Sequence, residues 1–85
     1  MSNDVPAQTA TAVLDYLVRS LVDEPDAVQI ETVQGRRGLT LQVNVAPGDM
    51  GRVIGKRGRT AQSIRTVVRA AAVKDSTDVD IDFVD

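Results

Sequence analysis

Two glycines three positions apart, Gly55 and Gly58, enclose Lys56 and Arg57, and this stretch suits one kind of chemistry, the holding of a phosphate backbone. Without a Cβ the chain can take positive φ and another backbone can approach closely. The helix that the sequence predicts from about Arg59 adds unpaired amide donors and a partial positive charge at its N-terminus, both suited to phosphate oxygens. Lys56 and Arg57 stand at the tip, where burial is hard to arrange, so their charges face solvent or a bound polyanion. Val53 and Ile54 before the loop and Ala61 and Ile64 after it make an apolar strip. Unstacked bases can rest there while the loop fixes their backbone, since phosphate contacts position and base contacts specify. Taken alone, the string also fits an ordinary turn between helices with solvated charges. Its surroundings favour the first reading: it follows Gly51-Arg52-Val53-Ile54 and opens a basic helix.

Other chemistries lack their residues. With no His and no Cys, and with acidic residues mostly on predicted loops or the outer face of a strand, a nucleophile–base pair is hard to assemble. The nucleotide-binding P-loop fails on spacing, because Met50 stands where its first glycine belongs and Arg57 replaces the required Ser or Thr. The dinucleotide-binding glycine fingerprint is also absent. The chain therefore reads as a non-enzyme with no catalytic residue, no metal site and no cofactor.

The net charge of −2 disfavours a polyanionic partner until the charges are placed along the chain. Between Gly51 and Lys74 lie seven basic residues, Arg52, Lys56, Arg57, Arg59, Arg65, Arg69 and Lys74, and no acidic one. The remainder carries 3 basic and 12 acidic residues, with Asp75, Asp78, Asp80, Asp82 and Asp85 crowding the end. A polyanion would bind one face and be repelled elsewhere. Tyr16 and Phe83 are the only aromatics, which disfavours aromatic-platform RNA binders.

The elements that must position the loop follow from periodicity. Eighty-five residues suffice for one domain and one core. Residues 1–6 read as a flexible N-terminus and 7–85 as a single domain. Val13, Leu14, Leu17, Val18 and Leu21 recur at helical spacing over about 7 to 22, with Pro6 suited to the first turn. Val28, Ile30 and Thr32, and then Leu39, Leu41, Val43 and Val45, alternate with other residues as two strands. The polar turn Gly35-Arg36-Arg37-Gly38 makes them an antiparallel hairpin. Asp49 stands where it can cap or charge-stabilise a short helix through Ile54. Ala61, Ile64, Val67, Val68 and Ala71 mark the buried stripe of a longer helix to about Lys74, with Arg59, Arg65 and Arg69 outside it. Val79, Ile81 and Phe83 alternate with Asp78, Asp80 and Asp82 as a last strand. The order is α-β-β-α-α-β, an α+β fold with a three-stranded mixed sheet and helices on one face. No secretory signal or membrane-spanning run is present, so a cytoplasmic location is expected.

At this point the chain resembles the K-homology (KH) domain in its type II arrangement. The stretch Asp49-Met50-Gly51-Arg52-Val53-Ile54-Gly55-Lys56-Arg57-Gly58-Arg59-Thr60-Ala61, with Ile64-Arg65, is similar to the stand-alone bacterial KhpA (YlqC-like) family of RNA-binding proteins. The resemblance implies that Gly55, Lys56, Arg57 and Gly58, flanked by Arg52, Arg59 and Thr60, clamp the backbone of about four nucleotides of single-stranded RNA. It implies that Ile54, Ala61 and Ile64 line the groove for the bases, with the last strand as its opposite wall. It further implies an RNA chaperone or post-transcriptional regulator, linked to cell-shape regulation, that acts as a homodimer or with a Jag-type KH partner. Neither a membrane nor a small-molecule substrate is expected. The competing class is a protein-interaction module that keeps the fold and binds little RNA.

Several residues keep two readings. Asp78, Asp80 and Asp82 are either the solvated face of an edge strand that discourages aggregation or acceptors for the amino group of cytosine or adenine. Arg65 and Arg69 are phosphate contacts or charges on a self-association surface. Arg36 and Arg37 are solvated turn residues or an extension of the RNA track. Tyr16 packs at the core edge or on a self-association surface.

Overall fold

In the computed structural model, which describes residues 7–36 and 38–84, the apolar period of the first segment becomes helix α1, Gln8–Leu21. Its buried positions Ala10, Leu14 and Val18 fall four apart on one face, while Asp15 and Arg19 pair at 2.8 Å on an exposed one. Strands β1, Gln29–Gln34, and β2, Leu39–Asn44, pair antiparallel, and β2 pairs in parallel with β3, Val79–Phe83. Between β2 and β3 the chain passes through the short helix α2, Met50–Ile54, and the long helix α3, Arg59–Ala72. The sheet is thus mixed, in the order β1-β2-β3, with the two-helix connection serving as the crossover that parallel strands require. The expected residues 1–6, with Pro6, and also Arg37 and Asp85 lie outside the described residues.

One face of the sheet is covered. Leu39, Leu41 and Val43 of β2 and Val79 and Ile81 of β3 are buried against α1, α3 and Val53 of α2. Each large aliphatic side chain so buried contributes roughly 1.5–3 kcal/mol of transfer free energy. The register places Gln29, Glu31 and Val33, then Thr40, Gln42 and Asn44, then Asp80 and Asp82 on the other face. That face is polar and partly acidic, and Asp80 at its β3 edge is reached by Arg69 of α3.

Three side chains part from their sequence reading. The buried stripe of α3 is Ala61, Ile64, Val68 and Ala72, whereas Val67 is 47% exposed and Ala71 half-buried. Steps of three, four and four keep the stripe on the side that meets the sheet, and Val67 falls off that line. The α-helix ends at Ala72, short of Lys74, and tightens into a 3-10 turn over Val73–Asp75 before Ser76 reverses at φ 52°. Tyr16 is 72% exposed, so it does not pack at the edge of the core.

Asp75, in the 3-10 turn after α3, fastens that turn to the start of α1. Its carboxylate accepts the N–H groups of Thr9 at 3.1 Å and Ala10 at 2.9 Å. α1 has no acidic residue in its own first turn and no side-chain cap. The orphan amides and positive end of the helix therefore receive their anion from 65 residues away. The Ala10 amide, with partial burial opposing and Thr9 assisting, holds the Asp75 carboxyl below the usual carboxylate range. A group so depressed stabilises the fold above its unfolded pKa and ceases to as pH falls through the folded one. Asp75→Ala is accordingly expected to melt at a lower temperature than the unchanged protein at pH 7. In thermal melts followed by circular dichroism, the gap should narrow as pH falls below about 4.

Candidate nucleic-acid interface

The junction of α2 and α3 is built by backbone conformations that only certain residues adopt. Gly55 closes α2 at φ 75°, ψ 178°, with its N–H donated to the Gly51 carbonyl at 2.9 Å. Such a combination is essentially reserved to glycine. Space makes the same demand, since a Cβ on Gly55 would meet Thr60 Oγ1 at 2.2 Å and Thr60 Cβ at 2.6 Å. Thr60 is therefore the floor beneath the first glycine. Lys56–Gly58 form one 3-10 turn that contains a left-handed residue, Arg57 at φ 57°, ψ 25°. Gly58 is left-handed too, at φ 72°, ψ 12°, and a Cβ there would meet nothing within 4 Å. The two glycines thus differ: the first is needed by the fold, while the second leaves open space on the outer side of the loop.

Lys56, Arg57 and Arg59 are exposed, and among the described residues none of the three takes an ion pair. No side chain caps the N-terminus of α3. Cations and helix end consequently meet at one solvent-facing corner, the arrangement that favours an anion.

The remaining predicted site residues are distributed unevenly. Arg52 is drawn to the α1–β1 loop, its Nη2 at 2.9 Å from Asp23 Oδ2 and its Nε at 3.4 Å from Asp49 Oδ1. Asp49 itself does not cap α2 with its side chain. Buried at 4% exposure, it accepts instead the N–H groups of Asp23 at 3.3 Å and Glu24 at 3.1 Å. The capping expectation fails because those loop amides, too far along the sequence to suggest themselves, compete for the carboxylate. Of the apolar strip, Val53, Ala61 and Ile64 are buried and Ile54 keeps a half-exposed side chain, so Ile54 offers most of the strip's surface.

β3 brings in contacts that the sequence reading left unassigned. Arg65 Nε donates to the Ile81 carbonyl at 3.4 Å, and its Cζ lies over the Phe83 ring, 5.4 Å from the centroid. Arg69 Nη2 pairs with Asp80 Oδ1 at 2.9 Å, and that same oxygen accepts the Ile81 N–H at 3.0 Å. Asp78, Asp80 and Asp82 are all exposed, and of the three Asp80 is the one paired with Arg69. The i, i+4 spacing of Arg65 and Arg69 beside an alternating Asp strand was the available signal for these contacts.

The sequence pattern of the KhpA/KhpB KH domain matches residues 11–83, nearly the whole of what has been described. The chain belongs to the KhpA/KhpB family of KH domains. Relatives include the RNA-binding protein KhpA of Clostridium acetobutylicum, 49% identical over 71 residues that cover 84% of this chain and 95% of that one. The RNA-binding protein KhpA of Chlamydia trachomatis is 39% identical over 85% of this chain and 92% of its own. That of Streptomyces coelicolor is 53% identical over 67% and 72% respectively. All three carry the name of RNA-binding proteins rather than of enzymes. Among solved structures, Aquifex aeolicus Era bound to GDP.AlF4- superimposes with a TM-score of 0.61 at 21% identity. Era in complex with MgGDPNP and nucleotides 1506–1542 of 16S ribosomal RNA gives 0.60. This KH domain is covered to 98% in both comparisons and spans about a third of the Era chains, a likeness of fold.

Proposed function

We propose that the chain binds single-stranded RNA, with Gly55, Lys56, Arg57 and Gly58 clamping the backbone of about four nucleotides and the strip beside Ile54 receiving bases. The observation that carries this reading is the pair of exposed cations, without an ion pair among the described residues, on a glycine loop at the start of α3, in a family whose relatives are named for RNA binding. Arg59 and Thr60 take part, the first as a further cation and the second by holding Gly55 in shape. Arg52 serves chiefly to tie α2 to the α1–β1 loop. Among the described residues no helix is long and apolar enough to cross a membrane, which is compatible with a cytoplasmic RNA chaperone or post-transcriptional regulator.

One small groove contacts few nucleotides, so a single domain binds weakly and selects poorly. Useful affinity then comes from a homodimer, or from a Jag-type KH partner, through effective concentration. The exposed Tyr16 is a candidate residue for such self-association.

The test is electrostatic. If about three phosphates are neutralised, log affinity for single-stranded RNA falls with log salt at a slope near −2, from about −0.7 per contact. Titrations across a salt series measure it directly. A salt-insensitive interaction would mean that the domain recognises a protein instead.

A further inference from the structure

Proteins that hold single-stranded RNA commonly stack its bases on flat side chains, and this chain has Tyr16 and Phe83 as its only aromatics. Phe83 is half-buried and packs against the core, so its ring is not freely offered to a ligand. What lies over that ring is the guanidinium of Arg65.

Three features place that guanidinium on the side of the domain where the glycine loop lies. Phe83 pairs with Val43, at the end of β2 that leads towards α2, so β3 terminates on the loop side of the sheet. Arg65 sits one turn beyond Ala61 on the same face of α3 and six positions after Arg59, about 9 Å along the helix. Its Nε is anchored on the Ile81 carbonyl, which restricts the rotation of the planar group. Arg69, a turn further on, is paired with Asp80, so among the described residues Arg65 is the last cation of α3 without an ion pair.

Building on the RNA-binding reading, we infer that Arg65, backed by Phe83 and pinned to β3, is a base-stacking platform for a nucleotide next to those held at Gly55–Gly58. The plane of the guanidinium, rather than its charge, is the working feature. It supplies the flat surface that the shortage of aromatics withholds, and it accepts any base, since every base has a π-face.

The experiment compares Arg65→Lys, which keeps the charge and loses the plane, with Arg65→Met, which loses both. The probe is a short oligouridylate carrying a single 2-aminopurine at successive positions, whose fluorescence is quenched when it stacks. The unchanged protein is expected to quench the probe at one position. Both variants should lose that quenching and bind about tenfold more weakly, with Arg65→Lys retaining the salt slope of the unchanged protein. Their melting temperatures separate a lost platform from a loosened β3. Wild-type affinity and quenching in a folded Arg65→Lys would overturn the inference, as would loss confined to Arg65→Met with a slope smaller by about 0.7, the mark of a phosphate contact. Replacement of Lys56 and Arg57 in parallel distinguishes the two failures: if it abolishes binding while Arg65→Lys does nothing, the platform alone is refuted. Absence of RNA binding by the unchanged protein refutes both readings.

Discussion

Lys56→Asp combined with Arg57→Asp is expected to abolish binding of single-stranded RNA while leaving the circular dichroism and melting profile near those of the unchanged protein. Hydrogen bonds to charged groups contribute roughly 1.5–3 kcal/mol each. Losing two of them, with repulsion put in their place, weakens binding at least about a hundredfold. The fold should be indifferent, because both side chains are exposed and, among the described residues, neither takes an ion pair. Backbone conformation supports the same expectation. Arg57 occupies the left-handed region at φ 57°, where aspartate is among the better-tolerated side chains. A folded double variant that still binds RNA would remove the loop from the mechanism.

The two glycines of the loop should fail in different ways. Gly55→Ala places a Cβ 2.6 Å from Thr60 Cβ and 3.0 Å from the Thr60 N, and it does so at φ 75°, ψ 178°. Alanine must therefore leave that conformation or move the first turn of α3, at a cost on the order of 1–3 kcal/mol from the backbone alone. For a domain of this size that corresponds to a fall in melting temperature of roughly 5–20 °C, with RNA binding lost as the loop is reshaped. Gly58→Ala costs roughly 1–2 kcal/mol for the left-handed conformation but meets no neighbouring atom. Its main consequence should fall on the approach of a ligand. Melting curves and RNA titrations of the two variants side by side measure both effects. Equal melting temperatures with Gly55→Ala fully active would contradict the geometry described for Thr60.

Periodicity carried the architecture a long way. The alternation in Leu39, Leu41 and Val43 and in Val79, Ile81 and Phe83 gave strands whose inward faces are the ones observed, and the chain between them is long enough for the parallel crossover that the sheet shows. The Gly-Lys-Arg-Gly stretch was legible as a junction between helices because the apolar spacing changes on either side of it. Destinations of polar side chains were not legible, for they depend on partners brought close only by folding. Asp49 meets amides 25 and 26 residues away, and Asp75 meets amides 65 and 66 residues away, so neither shows a local pattern. Val67 and Ala72 exchanged places as core residues because the stripe is set by where α3 meets the sheet, which hydrophobicity alone does not specify. Arg57 shows a related limit: a left-handed arginine carries no mark in the sequence, where only its flanking glycines suggest unusual backbone.

The differences between the acidic and basic parts also explain why the low net charge does not argue against the proposed ligand. The open face of the sheet carries Glu31, Asp80 and Asp82, while Lys56, Arg57 and Arg59 gather at the end of α3, so a polyanion meets attraction at one corner and repulsion elsewhere.

The most direct measurement is a titration of the isotopically labelled protein with single-stranded RNA, following each backbone amide by NMR. Shifts concentrated from Gly51 to Arg65, largest at Gly55 and Gly58, with the open face of the sheet unmoved, are the predicted result. Shifts centred on β1, on Thr40, Gln42 and Asn44, or on the surface around Tyr16, with the loop silent, would contradict the assignment of this site.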